Sequence, residues 1–222
     1  EREALAPVLP MLECAERLAR VLRGNRRERG SLDFDLPEPE ILFNLVGETV
    51  DIRPRVRHFG HQIIEEFMIL ANEAVARFLE ERGAPCLFRV HPSPDPDKLA
   101  ALFELLRRTD LAEVLPEEPT PKGLQGLLDA AQGTDLEYLV NRLTLRTMMQ
   151  ASYSPENDGH FGLASACYCH FTSPIRRYAD LEVHRSLKRV LAGDRGGLEP
   201  AARDYDVTRL CEHLSRTERS GM

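Results

Sequence analysis

The sequence predicts an α+β fold, a mixed or antiparallel sheet packed with several helices. Three observations lead there. Long stretches repeat apolar residues at helical spacing, and between them lie short segments in which apolar and polar residues alternate, as they do in strands. Two of the short segments flank a Gly-containing turn, the pattern of a β-hairpin. The chain has 222 residues, 42% of them hydrophobic, which is enough for one substantial core and too little for several large domains. It contains no internal repeat and no low-complexity segment.

The helical period opens at Leu9 and runs to Arg29, with Leu12, Ala15, Ala19 and Leu22 facing inward. It ends in the basic run GNRRERG, residues 24–30, which reads as a solvated helix end. Leu32, Phe34 and Leu36 alternate with Asp33 and Asp35, so residues 32–36 read as a strand with one polar face. Residues 40–55 have hairpin form, with Gly47-Glu48 at the turn, and are expected to complete a sheet with residues 32–36. The longest helical pattern covers residues 61–82. Its broad stripe of Ile64, Phe67, Met68, Ala71, Val75, Phe78 and Leu79 implies a central helix, and Gly83 ends it. Residues 86–90 read as a short buried strand. A Pro-interrupted loop then leads into a helix over residues 96–108, and residues 116–121 form an exposed linker. A short helix follows over residues 123–131. Thr134 and Glu137 have the spacing of a capping box for a helix ending near Ser152. Residues 195–206 read as a loop and residues 207–219 as the final helix.

Most of the chemistry lies in residues 159–185, GHFGLASACYCHFTSPIRRYADLEVHR. Asp158-Gly159 is turn chemistry, and the apolar, aromatic, weakly alternating HFGLASACYCHF is strand-like. At Ser173-Pro174 the period changes to that of a helix, with a capping hydroxyl and a proline at the first helical position. Ala179, Val183, Leu187 and Val190 carry the helix forward, and Gly193 supplies a left-handed stop. Arg176 and Arg177 are therefore expected in the first helical turn, where the dipole disfavours cations by ~0.3–1 kcal/mol. Two arginines beside free backbone N–H groups make a receptor for phosphate or carboxylate. Arg176, Asp180 and His184 also share one helical face, so a surface salt-bridge ladder fits the same spacing.

Composition bounds the rest. No apolar run approaches the ~20 residues that span a bilayer, and no signal peptide opens the chain, so a cytoplasmic protein is expected. The five cysteines, at 14, 86, 167, 169 and 211, do not form a secreted disulfide framework. Cys167-x-Cys169-His170 lacks the second pair that structural zinc requires, and buried thiols are the preferred reading. A formal net charge of −7 argues against a general nucleic-acid binder, though a narrow channel can carry its own local field.

HFGLA (160–164), YCHFTSPIRRYADL (168–181) and VHR (183–185) resemble the motif of the catalytic domain of the ribonuclease II and ribonuclease R (RNB) family, 3′-to-5′ exoribonucleases. RRERGSLDFDLPE (26–38), IIEEFMILANEAVARFLEERG (63–83), FRVHPSPDPDKL (88–99) and LSRTERSG (214–221) agree in family order, with the ribonuclease R branch as the better match. The resemblance runs through nearly the whole chain.

What it implies is specific. The activity would be magnesium-dependent hydrolysis of single-stranded RNA from the 3′ end, releasing nucleoside 5′-monophosphates. Arg176 would hold the scissile or adjacent phosphate, with Arg177, His170 and Tyr178 as further RNA contacts. Glu65, or its neighbour Glu66, would accept from a ribose 2′-hydroxyl, a direct way to tell RNA from DNA. Phe34 would stack on a base near the 3′ end, although a Phe alternating with Leu fits a core position equally well. The basic run is a lesser candidate for RNA contact. The family's magnesium site is an aspartate cluster, D-x₅-D-x-D-D, upstream of LDFD, and these residues contain only the isolated pairs Asp33/Asp35, Asp95/Asp97 and Asp204/Asp206. By resemblance, residues 1–222 are thus the C-terminal part of the catalytic domain, without its aspartate cluster and without the flanking OB-fold modules. The missing N-terminal half of the domain would be a partner. A non-catalytic RNA-binding remnant, or a structural piece needing a complementary fragment, are the rival readings.

Overall fold

Leu9–Arg29 forms the first helix, α1, closed by Gly30 in the left-handed conformation at φ 100°. A computed structural model of the chain describes residues 6–34, 39–44, 46–54, 58–193 and 206–221. Two strands, β1 (Pro39–Phe43) and β2 (Thr49–Pro54), pair antiparallel around Asn44, whose side-chain oxygen accepts from Val46 N and Glu48 N and so closes the turn. Ile41, Phe43, Val50 and Ile52 of this hairpin are exposed. The chain continues through α2 (Phe59–Glu80), β3 (Phe88–Val90), α3 (Pro96–Leu106), α4 (Pro121–Ala131), α5 (Glu137–Thr147), β4 (Ser152–Ser154), α6 (Tyr178–Leu191) and α7 (Val207–Ser220), with single 3₁₀ turns at Ala112–Val114 and Phe161–Leu163. The class is α+β, and helices dominate it.

Two apolar cores hold these elements. The first joins the end of α2 (Ala76, Leu79), Cys86, Leu87, Phe88 and Val90, Tyr153, Cys167 and Cys169, α6 (Ala179, Val183) and α7 (Leu210, Cys211). The second joins α3, α4 and α5 through Leu99, Leu102, Leu106, Leu124, Leu127 and Val140, with Leu32 set among them. A backbone bond from Leu32 N–H to the Gly162 carbonyl, 2.9 Å, ties residues 31–34 to the Phe161–Leu163 turn, whose Phe161 packs on the second core. Among the described residues no helix is long and apolar enough to cross a membrane. The five thiols are unbridged, and four of them are buried in the first core.

Several local expectations are corrected, each by a competing hydrogen bond or neighbour. The sheet is split into two separate pairs, β1–β2 and β3–β4. Residues 31–34 run without a ladder, and residues 35–36 of the expected strand lie outside the described residues, as do residues 195–205 of the expected loop. Residues 159–171 do not form a strand. Gly159 and Ala164 both adopt positive φ, and His91 Nδ1 accepts from Gly162 N–H at 3.0 Å, which folds the segment into a 3₁₀ turn with isolated bridges. The expected helix reaching Ser152 stops at Thr147, because the chain must extend into β4 to pair with β3. Thr134 and Glu137 do not cap each other. The Thr134 N–H is already given to the Ala131 carbonyl, so Glu137 accepts from Gly133 N–H instead, at 2.7 Å.

On α2 the buried face is not the apolar stripe alone. Glu66, Asn72 and Glu73 are buried with Ile69, Ala76 and Leu79, while Ile64 is exposed. The partners of the buried carboxylates come from α1: Arg26 grips Glu66 at 2.7 and 3.2 Å, and Arg29 reaches Glu73 at 3.0 Å. The basic run is accordingly not a solvated end. Arg27 joins it in pairing across elements, to Asp129 of α4 at 2.6 Å.

Two glycines of α1 make opposite demands on stability. A Cβ on Gly30 would lie 2.5 Å from the Lys122 backbone nitrogen at a φ of +100°, whereas one on Gly24 would meet nothing within 4 Å. Gly30→Ala is expected to destabilise the chain by more than the ~1–2 kcal/mol of the left-handed backbone alone. Gly24→Ala should stabilise it by ~0.5–1 kcal/mol, because alanine loses less backbone entropy in a helix. Denaturant titrations of the two variants should therefore move in opposite directions.

Candidate nucleic-acid interface

The helix that carries most of the candidate residues starts later than its sequence pattern suggests. α6 begins at Tyr178, with Arg177 as its extended N-cap residue, and residues 173–177 form a turn in which Arg176 N–H and Arg177 N–H both reach the Ser173 carbonyl. The cause is Asp180. This carboxylate is 0% exposed, accepts from the Ser173 backbone N–H at 2.8 Å, and takes a two-pronged grip from Arg177 at 2.7 and 2.7 Å. Burial alone would raise its pKa, yet the Arg177 guanidinium and the Ser173 N–H outweigh burial and hold it below the ordinary carboxylate value.

The clamp separates the two arginines. Arg177 is committed to Asp180. Arg176 is exposed, and its guanidinium has no hydrogen-bonded or ion-paired partner among the described residues. Ile175 beside it is 98% exposed, and Tyr178 is half-exposed. The expected ladder of Arg176, Asp180 and His184 does not form. Arg176 is not helical, and His184 stacks on Phe171 at 4.0 Å and bonds its carbonyl at 2.9 Å.

A cavity of about 400 Å³ lies against this turn, lined by Glu65, Met68, Asn72, Tyr168 and Arg177 among others. Asn72, buried on α2, fixes its wall: its amide nitrogen donates to the Tyr168 hydroxyl at 2.9 Å and its oxygen accepts from Phe171 N–H at 3.0 Å. Glu65 and Arg177 are thus brought to one cavity, and Glu66 is turned away into its buried pair with Arg26. Phe34 lies elsewhere. It is half-buried against the second core and lines a different cavity of about 320 Å³ with Arg23, Arg26, Arg27 and Gln62. Arg26 connects the two places, since its guanidinium also lies 3.9 Å from Glu65.

Beneath the turn, aromatic and imidazole rings follow one another. His91 and His160 are 4.9 Å apart, His160 and Tyr168 5.4 Å, Tyr168 and His170 6.0 Å, and His170 and Tyr153 5.6 Å. Burial, followed by the neighbouring cations, pushes His170 down to about 3; burial, followed by His91 and Arg89, does the same to His160. Arg89 lies over the Tyr153 ring and pairs with Glu218 of α7 at 2.6 and 3.2 Å. Tyr153, Arg89, Glu218 and Asn72 were not singled out from sequence. Asn72, Arg89 and Glu218 lie in motif stretches and Tyr153 lies between two of them, but no spacing rule connects positions as remote as 89 and 218.

One aspartate of each isolated pair has other employment. Asp95 and Asp206 cap α3 and α7, and Asp33 pairs with Arg23. Among the described residues no three His, Cys, Asp or Glu side chains converge as a ligand set, so the residues present do not fit the magnesium site that the resemblance implies.

The sequence profile of the RNB domain matches residues 1–193. The chain belongs to the RNB domain family. This RNB chain is 48% identical over 213 residues to a ribonuclease R of Aquifex aeolicus, covering 94% of the chain and 29% of that protein. It is 37% identical over 225 residues to ribonuclease R of Escherichia coli, covering 98% and 28%. Mycoplasma genitalium RNase R in complex with ribose methylated single-stranded RNA superposes with a TM-score of 0.86 at 29% identity, covering 95% of the RNB chain and 33% of that one. Yeast Ssd1, a pseudonuclease, shares the fold at a TM-score of 0.65 and 21% identity, covering 92% and 26%. The RNB chain therefore spans about 30% of the length of the curated relatives it matches.

The buried clamp makes a pH prediction. A carboxyl whose folded pKa is depressed contributes stability above its unfolded pKa and loses it as pH falls through the folded value. Asp180→Asn is expected to cost ~3–5 kcal/mol at neutral pH, because Arg177 is left without its buried counter-charge. The difference between variant and parent should shrink as pH falls below the ordinary carboxylate range, which chemical denaturation at several pH values would measure.

Proposed function

We propose that this chain is the RNA-handling part of a 3′-to-5′ exoribonuclease that hydrolyses single-stranded RNA to nucleoside 5′-monophosphates. The observation that carries this reading is the uncommitted Arg176, held on a turn clamped by a buried carboxylate next to the cavity of Glu65 and Arg177. A planar cation with five donors suits a phosphate, which can accept two of them side by side. Those bonds strengthen as charge develops on the phosphoryl oxygens, so Arg176 would contribute to turnover more than to binding. Glu65 supplies an acceptor for a ribose hydroxyl. Phe34 offers a ring for base stacking, and Tyr178 an exposed ring beside Arg176. None of these contacts reads a base edge, which suits degradation without sequence preference. The overall charge of −7 is no obstacle, because a local field is set by the groups at the site, where Arg177 and Arg89 are paired with Asp180 and Glu218 and Arg176 remains an unpaired cation.

Magnesium belongs to the proposal through the family, with its ligand set on polypeptide other than the described residues. For the same reason the isolated chain has a second reading, RNA binding without hydrolysis, favoured by the employment of Asp33, Asp95 and Asp206 elsewhere. A cytoplasmic location is proposed with the activity.

Two measurements test this. Incubated with magnesium and a single-stranded oligoribonucleotide, the 222-residue chain is expected to release no mononucleotides; turnover comparable with a full-length relative would refute the separation of groove and metal site. In a longer protein carrying this segment and a complete aspartate cluster, Arg176→Ala and Arg176→Lys should each lower kcat ~10²–10³-fold with little change in affinity for long RNA. Arg177→Ala should instead lower thermal stability, since it frees Asp180. Near-normal turnover in Arg176→Lys would remove the proposed role.

A further inference from the structure

His170 is held by one hydrogen bond, from Nδ1 to the Tyr153 hydroxyl at 2.8 Å, with the two rings meeting edge-on at 74°. Two proton arrangements satisfy that distance. Either the phenol donates to Nδ1, or Nδ1–H donates to the phenol oxygen. Tyr153 is 8% exposed, and its hydroxyl makes no second hydrogen bond among the described residues. In the second arrangement the phenol proton would point at no acceptor in a buried setting, at a cost of ~1–3 kcal/mol. In the first arrangement the phenol and Nδ1 are both satisfied, and the ring proton resides on Nε2. Burial also pushes the Tyr153 hydroxyl up to about 12, so it keeps a proton to give.

Nε2 has no hydrogen bond to any described residue. It is not sealed off either, because the buried side-chain atoms without a partner are Thr144 Oγ1 and Thr172 Oγ1. His91 and His184, by contrast, direct Nε2 at the carbonyls of Met149 and Phe171. The charged groups acting on His170 are Arg177, Arg89 and Arg176, which oppose an imidazolium, and Asp180, which favours one but is already paired with Arg177. Arg89 in turn is paired with Glu218. Burial and these cations hold the ring well below the ordinary histidine value.

We infer that Tyr153 is a positioning residue that fixes His170 as the tautomer protonated on Nε2, and that this N–H donates to an oxygen of the bound RNA backbone. The inference rests on the RNA-binding reading of the groove for its second half only. A donor of this kind is unlike the arginines around it: it carries no charge, and it does not switch across the range in which an ordinary histidine titrates, about pH 5 to 8.

Long-range proton–nitrogen NMR of the chain labelled with ¹⁵N-histidine reads both halves. The expected spectrum shows His170 Nε2 as the protonated nitrogen and Nδ1 as the bare one, unchanged from about pH 5 to 8. Protonation on Nδ1, or titration within that range, overturns the tautomer assignment whatever RNA does. Addition of a single-stranded oligoribonucleotide should then shift the Nε2 resonance. Tyr153→Phe, checked by thermal melt for intact folding, should mix the tautomers and weaken that oligonucleotide by ~3–10-fold, the worth of one hydrogen bond. RNA that binds while leaving Nε2 unmoved overturns the donor role. RNA that binds nowhere on the chain overturns the reading of the groove and the donor role with it, while the tautomer result stands by itself.

Discussion

One buried carboxylate organises the candidate site. Asp180 receives a backbone N–H from the far end of the turn and two guanidinium N–H groups from its near end, so residues 173–177 cannot straighten into the helix that follows. The geometry that results keeps Arg177 inward and leaves Arg176 outward. An arginine in the first turn of a continuous helix would face an unfavourable dipole; on a separate turn it does not, and its availability comes from the fold rather than from strain. The clamp also ties the site to the first core, because Ala179 and Val183, on either side of Asp180 along α6, are packed into it.

The second constraint is the polar seam between α1 and α2. Arg26–Glu66 and Arg29–Glu73 replace the apolar contacts usual between packed helices. Buried ion pairs of this kind contribute little net stability once their desolvation is counted, but breaking one partner is costly. What such a seam supplies is register. Bidentate pairing fixes which turn of α1 faces which turn of α2, and with it the direction in which Glu65 points, since its neighbour Glu66 is anchored.

The sequence was most legible where structure is local. α1 covers the span its period gives, the hairpin forms around its expected turn, and α7 covers the expected span to within a residue. It was least legible where a distant side chain takes over a backbone group. Ser173-Pro174 has every mark of a helix start, and only the burial of Asp180 explains why the helix waits until Tyr178. Residues 159–171 alternate as a strand does, and only His91, some seventy positions earlier, explains the 3₁₀ turn at Phe161–Leu163. The face of α2 was misread for a related reason. Hydrophobic periodicity assumes that buried means apolar, and here Glu66 and Glu73 are buried because arginines from α1 come to meet them. Of the candidate residues, Arg177 and Glu65 are brought to one cavity, with Arg176 beside Arg177 on the clamped turn, whereas Phe34 belongs equally to a core and to a separate cavity.

The hairpin of β1 and β2 stands apart from this economy of buried pairs. Its strands pair only with each other among the described residues, and Ile41, Phe43, Val50 and Ile52 leave apolar surface in water. A two-stranded ribbon of this kind is marginal without a layer behind it. Its amide hydrogens should exchange with solvent through small local openings rather than through the rare global ones that expose α2. In a concentrated solution those same openings present an unpaired, oily edge to neighbouring molecules, an attraction that the net charge of −7 has to offset.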